Sequence, residues 1–488
     1  MGLTNDTTLL LGLHGLAVAR VEVDEREGRV VHLVTADEAA AVCPSCGTRS
    51  TSPRQWVSTH PRDLPVGGRG VLLRWRKRRW RCQQPDCSTG SFTEQVAAVP
   101  ARARLTTRLR GAAGAAVADG ARTVVQTGRD LGLSWPTVMD AVTAYAAAVL
   151  PEQPEPVQVL GMDETRRGRP RFRVNAESGE WEMIVDRWHV GFVDIGGGQG
   201  LLGQVEGRTA AAVTDWLAQR GPQWHDQVRY VAIDMCTVFA SAITAGLPKA
   251  TIVVDHFHIV QLANKTVDEV RCRVTTQLRG RRGRNGDGEW EVRNLLTRNQ
   301  ENLSPRRYAR MWNTLIDLGP PGKEILTAWI AKEELRNLLA LARHGPDRHR
   351  IRQRLFAFYD WCARSGIAEI ERLAATIERW WPHIETFIHT RITNATSEGI
   401  NRVVKLVARN AFGFTNPINQ RLPVRCATTR RARGHLQPAQ VRRAVIGRGG
   451  AGRAGDTVCL FDRPSRSYRR PADDHDAVDG LRPGVSWV

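Results

Sequence analysis

Three short apolar runs in the middle of this chain each stop on an aspartate. Val157–Met162 ends at Asp163, Val228–Ile233 at Asp234 and Ala250–Val254 at Asp255. Runs of this length bounded by polar residues read as buried strands. Trp181–Trp188 and Gly191–Ile195 read as two further strands in a hairpin-like run, and Thr209–Arg220 and Val238–Ala245 read as helices. Few topologies accommodate three strands followed by helix, strand, helix, strand and helix.

That order is the order of a ribonuclease H-like fold, whose first and fourth strands are neighbours. Asp163 and Asp234 would then converge, although each aspartate alone could equally be a surface turn residue. Convergent carboxylates are hard oxygen ligands of the kind magnesium or manganese takes. Two such ions can activate an attacking oxygen and stabilise a leaving one in phosphodiester chemistry. A third carboxylate is expected from a later helix. Glu398 is the candidate, in Thr393-Asn-Ala-Thr-Ser-Glu398-Gly-Ile-Asn401-Arg402, within a helix read over Ser397–Asn410. Ile400, Val403, Val404 and Val407 recur at helical spacing and mark its core face. Glu398, Arg402, Lys405 and Arg409 share another face, which places three cations able to grip a DNA backbone beside the carboxylate. The competing reading is a solvated face with a Glu398–Arg402 pair.

Upstream, Cys43-Pro-Ser-Cys46 and Cys82-Gln-Gln-Pro-Asp-Cys87 form two close cysteine pairs. Two pairs on two turns deliver the tetrahedral thiolate set that one structural zinc ion prefers. A redox pair would need a strand-to-helix context that is absent here. Cys236, Cys272, Cys362, Cys426 and Cys459 are scattered and read as packing residues. Between the pairs, Arg74, Arg76, Lys77, Arg78, Arg79 and Arg81 surround Trp75 and Trp80. That pattern suits phosphate contact, or else a solvated strand with two core tryptophans.

A helix-turn-helix follows. Thr123–Leu131 reads as one helix, Gly132-Leu133 as the turn, and Pro136–Tyr145 as the second helix with Ser134 as its N-cap. Val124, Val125, Leu131, Leu133, Val138 and Val142 would form its small core. Thr137 and Asp140 would then face the major groove.

Lys plus Arg number 70 against 50 Asp plus Glu in 488 residues, a formal net charge of +20. This favours a polyanionic partner. No apolar run reaches the roughly 18–20 residues that span a bilayer. The N-terminus, MGLTNDTTLLLGL, lacks the basic start of a signal peptide. The expectation is therefore a cytoplasmic protein, associated with the nucleoid and without a membrane partner.

The sequence closely resembles the ISL3 family of bacterial insertion-sequence transposases over about residues 40–435. The resemblance is carried by the cysteine knuckles, the helix-turn-helix, GMDE around Asp163, AIDM around Asp234, VVDHFHIVQLANK, and TNATSEGINRVVKLVARNAFGF. It implies a multidomain α/β chain: a zinc ribbon-like domain (1–100), a helix-turn-helix (101–150), and a ribonuclease H-like DDE core (155–435) with a helical insertion at about 260–390. Residues 440–488 read as a disordered tail. The resemblance also implies that Asp163, Asp234 and Glu398 are the catalytic triad. Asp255, His256 and His258 match a segment with a supporting role rather than a metal-ligating one. The activity implied is binding of the element's terminal inverted repeats, hydrolysis at its ends to free a 3′-hydroxyl, and attack of that hydroxyl on target DNA by a homo-oligomer assembled on DNA. The alternative is a transposase-derived DNA-binding regulator without catalysis.

Overall fold

A computed structural model describes residues 6–23, 28–185, 187–411, 414, 416–430 and 432–433. The tail expected to be disordered, and Cys459 within it, lie outside the described residues.

After a short helix, Asp6–Leu11, comes a sheet built from β1 (Leu16–Val23), β2 (Arg29–Thr35), β3 (Pro53–Thr59), β4 (Val71–Arg81) and β5 (Ser91–Thr93). Its order is β1-β2-β4-β3, with β5 added to β4. Side chains alternate along a strand, and the long β4 uses both faces. Leu73 and Trp75 enter a cluster with Leu16, Val18 and Leu33. Trp80, of opposite parity, packs with Ala41, Cys43 and Phe92 beside Cys82 and Cys87. Both tryptophans are thus core residues, and the aromatic part of the expected nucleic-acid pattern is taken up by packing.

Three helices follow: Thr107–Ala118, Val124–Leu131 and Trp135–Val149. The Thr123 side chain accepts from Gln126 N, and Gly132 ends the second helix in the left-handed region at φ 63°. Ser134 sits at the N-cap of the third helix, but its hydroxyl meets that of Thr137 at 2.8 Å instead of a backbone amide. Val124, Leu133, Val138 and Val142 form the core with Leu131 against it. Val125 does not join them. It lies one residue, about 100°, round the helix from Val124 and is exposed. Buried Asp63 ties the sheet to these helices by accepting from Thr106 Oγ1 at 2.7 Å and Arg108 Nε at 2.8 Å.

The central sheet contains β6 (Val159–Arg166), β9 (Trp188–Asp194), β10 (Leu201–Glu206), β11 (Tyr230–Ile233) and β12 (Thr251–Val254), while β7 (Arg171–Val174) and β8 (Trp181–Val185) lie between β6 and β9 in sequence. The order is β10-β9-β6-β11-β12. β9 runs antiparallel to both β6 and β10, and β6, β11 and β12 are parallel. This is the ribonuclease H-like arrangement, with the first and fourth strands adjacent. Two strand assignments change. Trp181–Val185 is not in this sheet: it pairs with β7 in a separate two-stranded ribbon. The second and third strands are β9 and β10, and β10 goes unread in the sequence because glycines surround and interrupt it.

Helices then run from His256–Arg279 through Ala368–Thr390 and pack on one large apolar core shared with the sheet. No helix of the described residues is long and apolar enough to cross a membrane. The helices Ala395–Asn410 and Pro417–Thr429 complete the described core. The second of these meets the helix-turn-helix: Cys426 packs with Ala118, Ala146 and Leu150, and Arg433 Nη2 donates to buried Asp119 Oδ1 at 2.6 Å.

Candidate active site

Register brings the two strand-borne aspartates level. Ala232 of β11 pairs with Gly161 of β6, so Asp234 and Asp163 both lie two residues beyond that pair. β11 ends at Ile233 while β6 continues to Arg166 against β9 alone. Asp163 is therefore inside its strand, not at its end, and the early stop of β11 opens a notch beside it.

The helix Ala395–Asn410 is locked over this notch by three small polar residues at i, i+3 and i+7. Asn394 Nδ2 donates to Met162 O at 2.9 Å. Ser397 packs on Gly161, where a Cβ would lie 2.3 Å from its hydroxyl. Asn401 Nδ2 donates to Asp163 Oδ2 at 2.7 Å, and Asn401 Oδ1 accepts from the Thr165 hydroxyl. All three are buried. The GMDE and TNATSEGIN motifs are thus two halves of one joint, and Glu398, next to Ser397, is delivered to the notch by it. The joint's trace in the sequence is the helical recurrence of small polar side chains, Asn394, Ser397 and Asn401, on the face beside the apolar one.

Glu398 does not pair with Arg402 among the described residues. His258 Nε2 lies 3.7 Å from Glu398 Oε1 and 2.9 Å from Asp234 Oδ1. Contact with Asp234 raises the His258 pKa, and the charges of Asp255 and Asp163 add to the effect. Asp255 caps the helix His256–Arg279 by accepting from Phe257 N at 3.1 Å, and His256 Nδ1 lies 3.2 Å from it. Burial works against the Asp255 charge, yet the His256 contact and the hydrogen bond from Phe257 N hold its carboxyl below the ordinary range.

The electrostatics fit a cation. Burial and the adjacent Asp234 charge push the Asp163 carboxyl up to about 6, against hydrogen bonds from Glu164 N and Asn401 that favour its ionised form. Asp234 Oδ1 is buried and makes no well-aligned hydrogen bond; the His258 ring is its near contact. One ligand atom each from Asp255, His258 and Glu398 lies within 4.8 Å of the others. A divalent ion would supply the positive charge this carboxylate cluster lacks.

The four expected cysteines do come together: Cys43, Cys46, Cys82 and Cys87 offer sulfurs that all lie within 4.8 Å of one another. Facing sulfurs are 3.9 Å (Cys43–Cys87) and 3.5 Å (Cys46–Cys82) apart. Hydrogen bonds from the Thr48 side chain and backbone hold the Cys46 thiol down at about 6, favouring the thiolate a metal takes.

The basic residues fall on three surfaces. On β4, Arg74 and Arg76 are exposed, and Arg76 stacks over Trp56 at 4.5 Å. Arg78 already serves buried Glu94, with its Nε 2.6 Å from Oε1. Lys77 lies over the Trp75 ring at 4.3 Å, and Arg79 Nε donates to Ser91 Oγ at 3.1 Å. On the helix Trp135–Val149, Asp140 is exposed and Thr137 partly so. Arg402, Lys405 and Arg409 are exposed on the Glu398 helix. Arg409 also lines a cleft of about 1360 Å³ between that helix and the helix-turn-helix, together with Arg122, Arg129, Arg430 and Trp135; among the described residues no carboxylate lines it.

A ribonuclease H-like core preceded by a four-cysteine ribbon and a helix-turn-helix defines a multidomain transposase. Residues 160–424 match a family described as transposase, 39–87 the zinc-finger of transposase IS204/IS1001/IS1096/IS1165, and 94–146 the helix-turn-helix domain of transposase family ISL3. The chain belongs to the ISL3 transposase family. It is 27% identical over 429 residues to the transposase for insertion sequence element IS1001 of Bordetella parapertussis, covering 86% of this chain and 97% of that one. It is 26% identical over 212 residues to the transposase for insertion sequence element IS1557 of Mycobacterium tuberculosis, covering 39% and 46%. The Drosophila P element transposase strand transfer complex is similar at a TM-score of 0.36 and 10% identity, over 66% of this chain and 90% of that one.

Proposed function

We propose that this transposase cleaves DNA at the terminal inverted repeats of its insertion sequence and joins the freed ends to target DNA. In this reading Asp163, Asp234 and Glu398 hold two divalent ions, magnesium or manganese. The observation that supports the reading is the joint between the Glu398 helix and β6, together with the His258 ring that lies near both Asp234 and Glu398. Held by these three carboxylates, such ions would supply the positive charge that activates an attacking oxygen and stabilises a leaving one. Asn401 fixes the Asp163 carboxylate, and His258 orients Asp234 and Glu398. Asp255 stays a helix cap. Water is the nucleophile for cleavage and the freed 3′-hydroxyl for joining, so no covalent enzyme intermediate forms.

Arg402, Lys405 and Arg409, continuing into the arginine-lined cleft, take the phosphate backbone between the cut site and the helix-turn-helix. Thr137 and Asp140 read base edges. Arg74, Arg76, Lys77 and Arg79 add phosphate contacts, while Arg78 mainly holds its strand to Glu94. One zinc ion on Cys43, Cys46, Cys82 and Cys87 stabilises that region. Two element ends cut in concert call for a homo-oligomer on DNA.

The test is a plasmid carrying the element's two ends, incubated with the purified chain and magnesium. Cut ends with free 3′-hydroxyls and joined products should appear, and a chelator should abolish both. Cutting without joining would identify a nuclease, binding without cutting a regulator, and a protein–DNA adduct a different chemistry.

A further inference from the structure

The ribbon of β7 and β8 emerges from β6 three residues beyond Asp163 and returns to β9, the two strands that flank the carboxylate site. Its root is held: Arg167 Nη2 donates to Phe414 O at 2.9 Å, and Arg166 and Arg208 lie over the Trp188 ring at 5.7 and 5.3 Å. Its far end is not. Cross-strand pairs lie on one face, so the pairs Phe172–Met183 and Val174–Trp181 make an apolar face, and Arg173–Glu182 lies on the other. That apolar face is uncovered: Phe172 is 52%, Val174 43%, Trp181 72% and Met183 51% exposed. A lone two-stranded hairpin is marginal in water, and clustered exposed apolar groups mark contact surfaces.

Charge identifies the occupant. From 166 to 174 the outgoing segment carries Arg166, Arg167, Arg169, Arg171 and Arg173 and no carboxylate, while the turn and return strand carry Glu177, Glu180 and Glu182. Among the described residues, Arg169, Arg171 and Arg173 make no ion pair. A strand extends about 3.3 Å per residue, so the paired part of the ribbon, Arg171–Val174, is on the order of 13 Å long, enough to enter a groove. Proteins that distort DNA combine such cations with apolar side chains wedged between base steps.

We propose that this ribbon is a DNA-distorting arm. Its arginines follow the phosphates at the element's end, and Phe172 and Trp181 enter the stack at the base step beside the bond that the Asp163 site cuts. This rests on the DNA-cleavage reading above.

The experiment uses the full chain, calcium, and a duplex carrying the element's terminal repeat with aminopurine at the junction with flanking DNA. Binding of the wild-type chain should raise the aminopurine fluorescence. A Phe172→Ala, Trp181→Ala double variant should bind the duplex yet leave the fluorescence unchanged, whereas Trp181→Phe should retain most of the rise. With magnesium, the double variant should cut paired DNA roughly tenfold or more slowly, because it no longer offsets unstacking, and unpaired bases at the junction should restore the rate. Asp163→Asn should keep the fluorescence rise and lose cutting; if it still cuts, the catalytic reading fails while the arm stands. The arm is refuted by no rise in the wild-type chain, an undiminished rise in the double variant, or loss of end binding by that variant. A change of oligomeric state in the variant without DNA would assign the face to a second copy and refute it too.

Discussion

Gly161→Ala tests the joint that delivers Glu398. A Cβ at position 161 would lie 2.3 Å from Ser397 Oγ and 2.8 and 2.9 Å from the flexible end of Ile195. Comfortable contact is about 3.5 Å, so Ser397, 1% exposed on a packed helix, would have to retreat by roughly 1 Å. Overpacking of this kind costs about 1–3 kcal/mol, whereas a shift of about 1 Å in a group that holds the reacting centre can cost on the order of a hundredfold in rate. The variant should therefore stay folded at 25 °C, melt somewhat earlier, and cut element ends about a hundred times more slowly. Ser397 Oγ has no hydrogen-bond partner among the described residues, so Ser397→Ala alone should change little. Combined with Gly161→Ala it removes the clashing atom, and at least tenfold of the lost rate should return, a coupling expected only between touching residues. The assay pairs urea melts with end-cleavage rates on the four proteins. Wild-type cleavage by Gly161→Ala, or a double variant no better than that single one, would refute the reasoning.

Purified chain should carry about one zinc, and a Cys43→Ser, Cys82→Ser double variant should lose it with weakened end binding; full metal retention, measured by atomic emission, would reject the assignment. Substituting Thr137 should change which end sequences bind while leaving salt-dependent non-specific binding intact; equal loss on all sequences in a binding titration would instead show a folding defect. The raised Asp163 pKa gives a signed pH effect. Without metal, its protonation favours the fold as pH falls through about 6 towards the ordinary value of 3.8, and its charge opposes the fold above that window. Added manganese should therefore raise Tm well above pH 6 and progressively less below it; a metal-induced shift that is flat across this window would contradict a ligand role for Asp163.

The strands that carry the candidate site, and the cysteine cluster, could be read in the chain because simple rules sufficed. Asp163 and Asp234 follow short apolar runs, and strand order alone makes those runs neighbours. The cysteines announce themselves by spacing. What stayed hidden depended on tertiary context. β8, apolar apart from Glu182, reads like a strand of the main sheet, and only its pairing with β7 reveals it as part of a ribbon. β10 looks like a glycine loop, but Gly203 is there because Trp216 Nε1 approaches within 2.5 Å of where its Cβ would stand. Trp75 and Trp80 resemble a base-stacking pair in sequence, yet opposite parity on one strand sends them into two cores. The joint of Asn394, Ser397 and Asn401 spans more than 200 residues of chain to β6, beyond the reach of local pattern.

The central claim, that Asp163, Asp234 and Glu398 form one metal site for both cutting and joining, is tested most directly by charge-removing variants assayed for both steps. Asp163→Asn, Asp234→Asn and Glu398→Gln nearly keep shape but remove ligand charge. Each should lose cleavage and strand transfer together while binding element ends as the wild-type chain does. Asp255→Asn keeps a good N-cap residue and should retain both steps far better. Cutting by any of the three triad variants at the wild-type rate, or an Asp255 variant that is inactive beside an active Asp234 variant, would contradict the account.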